Sequence, residues 1–333
     1  MKIILPGGSG QVGTILARHL HSQGHDVLVL SRIPKDQQKP TPWRTTHWDA
    51  LTLNTQWTNE LEGADAVIHL SGRTVNCRYT PENRRQIYDS RIIPTRLLGE
   101  AIAATHNPPR IWMNASTSTI YRHALDRSQD EFTGDLGRRA NGPPTAEQAG
   151  LPETWSFSVD VAHKWEEAFH ATPTPNTRKI ILRSSMVMSP DPGGVFSVLS
   201  GLTRAGLGGT EGPGTQFVSW MHDQDYALAT DLLLARPEIT EETAGIVNMT
   251  APGPLPNREL MHELRRAWRV PIGLPATSWM LEIGAVFLRT ETELILKSRR
   301  VIPGVLVKHG FQFRFPTWSQ AAANLTARMG ARK

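Results

Sequence analysis

Cysteine is almost missing from this chain of 333 residues: Cys77 stands alone. A single thiol excludes an internal disulfide and any cysteine-based zinc site. No H-E-x-x-H or comparable ligand spacing occurs either, so no metal is expected. Long apolar runs are also lacking. The best stretch, Trp279 to Leu288, is interrupted by Glu282 and falls far short of the roughly 18 apolar residues that a membrane span needs. The opening Met1-Lys2-Ile3-Ile4-Leu5 is too short for a signal-peptide core, so no export is predicted and a cytoplasmic location is expected. Charge of one sign is not in large excess. Lysine and arginine number 36 against 31 acidic residues, a net charge of +5 with histidine neutral. The basic residues are scattered, which speaks against a nucleic-acid surface and leaves room for an anionic small ligand.

What is present is an ordinary globular balance: 39% hydrophobic, 20% charged, with 27 glycines and 24 prolines. A chain of this length forms one large domain or two medium ones and buries roughly three quarters of its unfolded surface. Its first part alternates. Lys2–Leu5 reads as a strand, and Val12, Ile15, Leu16 and Leu20 give Gln11–Ser22 helical spacing, ended by Gly24. Asp26–Leu30 is continuously apolar, which suits a parallel strand buried on both faces. Thr45–Trp48, Ala64–Leu70, Arg110–Ala115 and Lys179–Arg183 read as later strands, and a long helix opens with Thr80 as N-cap and Pro81 at its first position. This rhythm predicts an α/β fold with a Rossmann-type, doubly wound parallel sheet over residues 1–185. After Ser189 the pattern loosens through Gly193-Gly194, Gly206-Leu207-Gly208-Gly209 and Gly212-Pro213-Gly214. Residues 186–333 are read as a smaller α+β lobe on the substrate side, some of whose strands can return to the main sheet. Its expected helices are Asp223–Ala235, Pro256–Trp268, Trp279–Arg289 and Glu291–Arg299, with a strand at Ile246–Met249. Asp126–Pro152 is polar and rich in glycine and proline, a long surface loop.

The strongest motif is Gly7-Gly8-Ser9-Gly10-Gln11-Val12-Gly13, which follows a strand and opens a helix. In a dinucleotide site Gly7 serves the tight turn, Gly10 admits a pyrophosphate, and Gly13 lets the helix pack on the strand. The helix N-terminus then offers free N–H groups to the phosphates. The second strand runs into Ser31-Arg32, where an NAD site usually has an acid for the ribose 2′-hydroxyl. Arg32 could instead pair with a 2′-phosphate, so the expected cofactor is NADP(H). Asp49, after the third strand, could accept from the adenine amino group, serve as a helix N-cap, or do both.

These residues, with Val67-Ile68-His69-Leu70-Ser71-Gly72, Arg78-Tyr79-Thr80, Asp89-Ser90-Arg91, Ser116 to Tyr121, Trp165-Glu166, Ser219-Trp220-Met221-His222 and Gly310-Phe311-Gln312-Phe313-Arg314, resemble the extended short-chain dehydrogenase/reductase superfamily. More narrowly, they are similar to its atypical, sugar-nucleotide-epimerase-like branch, the "epimerase family proteins". The resemblance covers nearly the whole chain and implies an NADP-binding Rossmann fold with a small C-terminal lobe. Leu70, Ser71, Gly72 and Arg91 join the cofactor side by this resemblance. One departure is large. Typical members transfer a proton with a Tyr-x-x-x-Lys pair and an upstream Ser or Thr. Alignment on Trp165-Glu166 puts Ser158 and Ala162 at the two places, and neither can perform that transfer. Ser116, or Thr117 beside it, fits the upstream hydroxyl, and Arg91 stands where most members have a structural Asn.

Four residues are the catalytic candidates. Ser116 could hydrogen-bond a carbonyl oxygen and Arg91 could stabilise a developing oxyanion. Tyr121 could donate a proton if a cation such as Arg91 lay beside it, or simply pack in the core. His222 titrates near neutrality but could equally be a packed loop histidine before a helix capped by Asp223. Arg78, Gln216 and Trp220 are candidates for substrate contact, with a loop salt bridge for Arg78 and lobe core for Trp220 as the alternatives. Cys77 reads as an inert thiol. The expected activity is an NADP-dependent oxidoreductase or epimerase-like reaction on a small polar substrate, a sugar or phosphorylated compound by family analogy. The alternative is an NADP(H)-binding sensor without turnover.

Overall fold

A computed structural model describes residues 1–34, 37, 40–137, 152–277 and 291–331. The expected helix Trp279–Arg289 and the second half of the expected loop Asp126–Pro152 lie outside them. In chain order the elements are β1 Lys2–Pro6, α1 Gln11–Ser22, β2 Asp26–Ser31, β3 Arg44–His47, α2 Thr55–Thr58, β4 Ala66–His69, α3 Pro81–Ala104, β5 Ile111–Thr117, α4 Glu153–Ala171, β6 Arg178–Ser184, β7 Met186–Met188, α5 Val195–Arg204, β8 Phe217–Val218, β9 Trp220–His222, α6 Asp223–Ala235, β10 Ile246–Met249, β11 Leu255–Pro256 and α7 Asn257–Trp268. Single turns at Glu293–Leu296 and Gly304–Lys308 and a helix over Trp318–Gly330 complete it.

Seven strands form one sheet in the order β10-β6-β5-β4-β1-β2-β3, every neighbouring pair parallel. Continuous apolar strands allow this because both faces are covered. Ile3 and Leu5 of β1 enter one core with Ile15, Leu16 and Leu20 of α1 and Leu233 of α6. Ile4 between them enters the opposite core with Leu98 and Ile102 of α3 and Phe169 of α4. The alternation of successive side chains thus feeds two cores from one apolar run. The order reverses between β1 and β4, and at such a reversal the loops leaving the two strands diverge and leave a crevice at the carboxyl edge.

The chain beyond residue 185 is not sealed off from the sheet. β10 returns to pair with β6, and α6 contributes to the same core as α1. A third core, built by Phe196, Trp220, Leu260, Leu264, Trp318 and Leu325, belongs to the C-terminal part. The glycines around 206–209 serve a close crossing there: a Cβ on Gly209 would lie 2.4 Å from the Leu274 carbonyl carbon. The helix expected over Glu291–Arg299 is only the turn Glu293–Leu296. Downstream of it Arg299 N–H donates to the Phe217 carbonyl at 2.8 Å, and Ser298 Oγ accepts from Phe217 N–H at 2.9 Å. These bonds to β8 replace the helical ones and override local propensity.

Candidate functional site

The crevice is assembled first from backbone. Gly7 N–H donates to Leu30 O at 2.9 Å, and Leu70 N–H donates to Pro6 O at 2.8 Å, so the ends of β1, β2 and β4 meet. Gly7 has φ +76°, and a Cβ there would stand 2.7 Å from Ser71 N. A Cβ on Gly13 would stand 2.4 Å from Gly8 Cα, so α1 rests directly on the turn. Gly10 differs: its nearest neighbour would be Gly7 O at 3.5 Å. Protein atoms therefore dictate Gly7 and Gly13, whereas the space at Gly10 is open. Gly10 caps α1 without any side-chain hydrogen bond, and α1 has no acidic residue in its first turn. Beside the turn, Gln11 Nε2 is buried without a partner among the described residues. Open space at Gly10, an uncapped helix N-terminus and an orphan amide together fit a pyrophosphate.

Around this turn, Ser31 is buried and its Oγ accepts from Ile33 N–H, while Arg32 is exposed and enters no ion pair among the described residues. Asp49 closes a turn, accepting from the N–H groups of Leu51 and Thr52 and from the Thr52 hydroxyl. Asp49 is not the helix N-cap that was expected: that place at α2 is taken by Asn54, whose side chain accepts from Gln56 N–H. Arg91 lies against Gly72, its Cζ 3.4 Å from where a Cβ of that residue would be. Its guanidinium donates to Ile87 O and Arg73 O and sits over the Trp165 ring at 5.1 Å. No carboxylate pairs with it among the described residues, and burial pushes its pKa down to about 10.

Several expectations are corrected. Ser116 is buried and donates to Glu166 Oε1 at 2.6 Å, so its hydroxyl is committed beneath the site. Successive strand residues face opposite ways, and the half-buried residue at the end of β5 is Thr117, whose Oγ1 accepts from Thr119 N–H at 3.1 Å and keeps its O–H to donate. The cation beside Tyr121 is Arg183, not Arg91: its Nη1 donates to the phenol oxygen at 3.1 Å. The Tyr121 hydroxyl in turn donates to Asn248 Oδ1 at 3.0 Å, and burial raises its pKa despite Arg183. Tyr121 is a core residue. Arg183 also forms a two-bond pair with Glu166, at 2.9 and 2.8 Å. Ser116, Glu166, Arg183, Tyr121 and Asn248 are one buried network spanning β5, α4, β6 and β10.

His222 is fully buried and, rather than Asp223, is the N-cap of α6: Nδ1 accepts from Gln224 N–H. Nε2 meets Asn324 Oδ1 at 3.0 Å and the ring stacks on Phe315, while burial pushes the pKa down to about 4. Both ring nitrogens are occupied, which removes it as an acid–base candidate. Asp223 instead pairs with Arg328. Trp220 lies in the lobe core, Nε1 donating to Gly253 O and the ring against Trp318. Gln216 is buried with Nε2 on Glu211 O at 2.7 Å. Neither presents a surface to a ligand. Arg78 pairs with Glu291 at 3.6 Å.

One polar cluster was not foreseen. Ser158 Oγ donates to Glu293 Oε2 at 2.5 Å, and the Tyr79 hydroxyl lies 3.3 Å from the same Oγ. Glu293 Oε1 pairs with Arg299 at 3.0 Å. Arg299 Nε donates to Thr119 Oγ1 and Lys297 Nζ donates to Thr119 O. Glu291 accepts from Tyr79 N–H at 2.7 Å. The C-terminal segment 291–299 thus delivers two carboxylates and two cations to Ser158 of α4, Tyr79 and the turn that leaves β5. The basic run Lys297-Ser298-Arg299-Arg300 was the only signal in the sequence, and nothing local ties it to Thr119, 178 and 180 positions before Lys297 and Arg299.

The comparisons agree with this architecture. The model of the NAD dependent epimerase/dehydratase family matches residues 3–249, and one named as a domain of unknown function, DUF1731, matches 276–325. "Epimerase family protein SDR39U1" of Bos taurus is 29% identical over 333 residues, covering 98% of this chain and all of its own, and the Homo sapiens protein of that name is also 29% identical. The crystal structure of human SDR39U1 (isoform 2) with NADPH superposes with a TM-score of 0.79 at 27% identity, over 98% of this chain and 99% of that one. A UDP-N-acetylglucosamine 4-epimerase from Bacillus cereus, 16% identical with a TM-score of 0.70 over 99% of each chain, shares the fold. With a family model over three quarters of its length and the glycine turn, crevice and parallel sheet in place, the chain belongs to the NAD dependent epimerase/dehydratase family.

Proposed function

We propose that the chain binds NADP(H) and interconverts a carbonyl and an alcohol on a small polar substrate, of the sugar or phosphorylated class. The observation that carries the first half is Gly10. It is the one motif glycine whose side-chain space the protein leaves open, at an uncapped helix N-terminus. Arg32, exposed and outside any described ion pair, supports the 2′-phosphate, as does the relative solved with NADPH. When bound, the reduced nicotinamide supplies a hydride. The residues do the rest. The turn 7–13 holds the pyrophosphate, Leu70–Gly72 line the opposite wall, and the Arg91 guanidinium favours negative charge beside Gly72. Thr117 offers its hydroxyl to a substrate oxygen.

A second reading is favoured by the alignment on Trp165-Glu166. Ser158 and Ala162 occupy the proton-transfer positions, so the cofactor could be held without turnover by a sensor. Calorimetry with NADPH and NADH, followed by a panel of aldehyde and ketone sugars with NADPH oxidation read by absorbance, separates the two. Tight NADPH binding with substrate-dependent oxidation supports the enzyme. Tight binding with none across the panel supports the sensor, and equal affinity for NADH overturns the NADP(H) assignment.

A further inference from the structure

The proposed function leaves one buried amine without a role. Lys297 is 3% exposed, and among the described residues Nζ makes a single hydrogen bond, 2.7 Å to Thr119 O, with no ion pair. An ammonium has three N–H donors, and burying it incompletely satisfied is costly. Thr119 lies two residues past Thr117, in the turn that leaves β5. The same turn is held by Arg299, which also holds Glu293, and Glu293 holds Ser158 at the place of the absent tyrosine. Lys297 therefore shares with Arg299 the turn at Thr119, two residues past Thr117, on the segment that also carries Glu293 to Ser158.

We propose that Lys297 is the acid–base residue of this site, exchanging a proton with the oxygen of a substrate held at Thr117. This inference rests on the proposed carbonyl–alcohol chemistry. In the reductive direction a hydride from the reduced nicotinamide, which is oxidised, adds to the carbonyl carbon. The C=O π pair becomes a lone pair on oxygen, that oxygen takes a proton from the Lys297 ammonium, and the neutral amine regains a proton from water. The neighbours cannot substitute. Burial and then Glu293 raise the Tyr79 phenol, Ser158 is an aliphatic hydroxyl, and Glu293 is tied to Arg299 and Ser158. The charges facing Lys297 are Glu293 and Arg299 on its own segment and His123 on the loop after β5. Burial dominates, Glu293 opposes it and Arg299 adds to it, bringing the amine down to about 7.

The test needs no known substrate. The chain has eight lysines, so side-chain 15N NMR can follow each amine through pH 5.5 to 9.5, with the signal lost in Lys297→Arg, or in Lys297→Met, assigning position 297. The spectra are recorded for the free protein and with saturating NADPH and NADP+. We expect a midpoint near 7 in the free protein. The NADP+ complex should titrate at least about half a pH unit below the NADPH complex, because the oxidised ring adds a positive charge nearby. A midpoint in the ordinary lysine range near 10, or equal midpoints in the two complexes, overturns the inference while leaving cofactor binding intact. Failure of either nucleotide to bind overturns the proposed function itself, and this inference with it.

Discussion

The two ends of the crevice are built in opposite ways. At the phosphate end a run of seven residues, Gly7 to Gly13, forms the turn, and the groups available to a ligand are backbone N–H groups at the start of α1. At the reaction end the groups are side chains: Thr117 from β5, Ser158 from α4, Tyr79 from the loop before α3, and Glu293, Lys297 and Arg299 from the C-terminal segment. Tyr79 and Glu291 meet across 212 positions of sequence. A backbone-built end tolerates little change of residue and needs only glycines. A side-chain-built end can be rebuilt with different residues as long as the scaffold holds them, and here Glu293 of the C-terminal segment meets Ser158 of α4 at 2.5 Å.

The comparison fails first if the scaffold beneath the reaction end is not what holds it. Glu166→Gln or Arg183→Met leaves one member of a buried ion pair uncompensated, which typically destabilises by about 3–5 kcal/mol. Urea unfolding should show a midpoint lowered accordingly, and a wild-type midpoint in both variants would remove the network from the account. The phosphate end is tested by contrasting two glycines. Gly10→Val should keep the unfolding midpoint yet lower NADPH affinity by about 100-fold or more, since its side chain takes the space of a pyrophosphate. Gly13→Val should instead lower stability before any ligand is added, because its Cβ meets Gly8 at 2.4 Å. Equal behaviour of the two would mean that Gly10 is as structural as Gly13.

A smaller effect separates buried histidines from catalytic ones. His222 and His69 are both pushed down to about 4 by burial, so they are neutral in the folded protein and protonate on unfolding below about 6.5. The unfolded state then binds more protons between pH 4 and 6.5. Stability present above that window is lost as pH falls through it, at up to about 1.4 kcal/mol per pH unit for each group. Glu131 acts in the opposite sense. Burial raises it to about 7, so its contribution is complete at low pH and disappears as pH rises through 7. With two groups against one, the net trend is loss on acidification. In His222→Asn, which can still cap α6, the acid-side slope should be shallower than in the wild type. Identical slopes would mean that His222 is charged in the folded state. Smallest is the effect of Arg32→Ala. Loss of a charge-assisted contact of about 1.5 kcal/mol should reduce the preference for NADPH over NADH by about tenfold, read by calorimetry.

Much of the fold could be read from residue order because its causes are local. Thr80 and Pro81 do start α3, with Thr80 Oγ1 accepting from Asn83 N–H, and α6 spans the expected Asp223–Ala235. The apolar run in β2 is a central strand, and the glycine turn sits where the motif demands. Within the candidate site, only the glycine turn had causes local enough to read from the sequence. Ser116 was singled out by position in a motif, yet strand alternation turned it down toward Glu166 and left Thr117 at the surface. Tyr121 and His222 carry reactive groups, and tertiary partners used those groups for packing.

The sequence by itself determined the parallel sheet and the glycine turn. Hydrophobic period, glycine dihedrals and helix caps depend on residues a few positions apart, and these are visible in a linear string. Only the tertiary structure decided which side chains stand beside the end of β5. The segment 291–299 reaches β5 and α4 because its backbone bonds to β8 rather than to itself. Which side chains then face one another follows from the path of the chain through space, and no spacing within the sequence encodes that path.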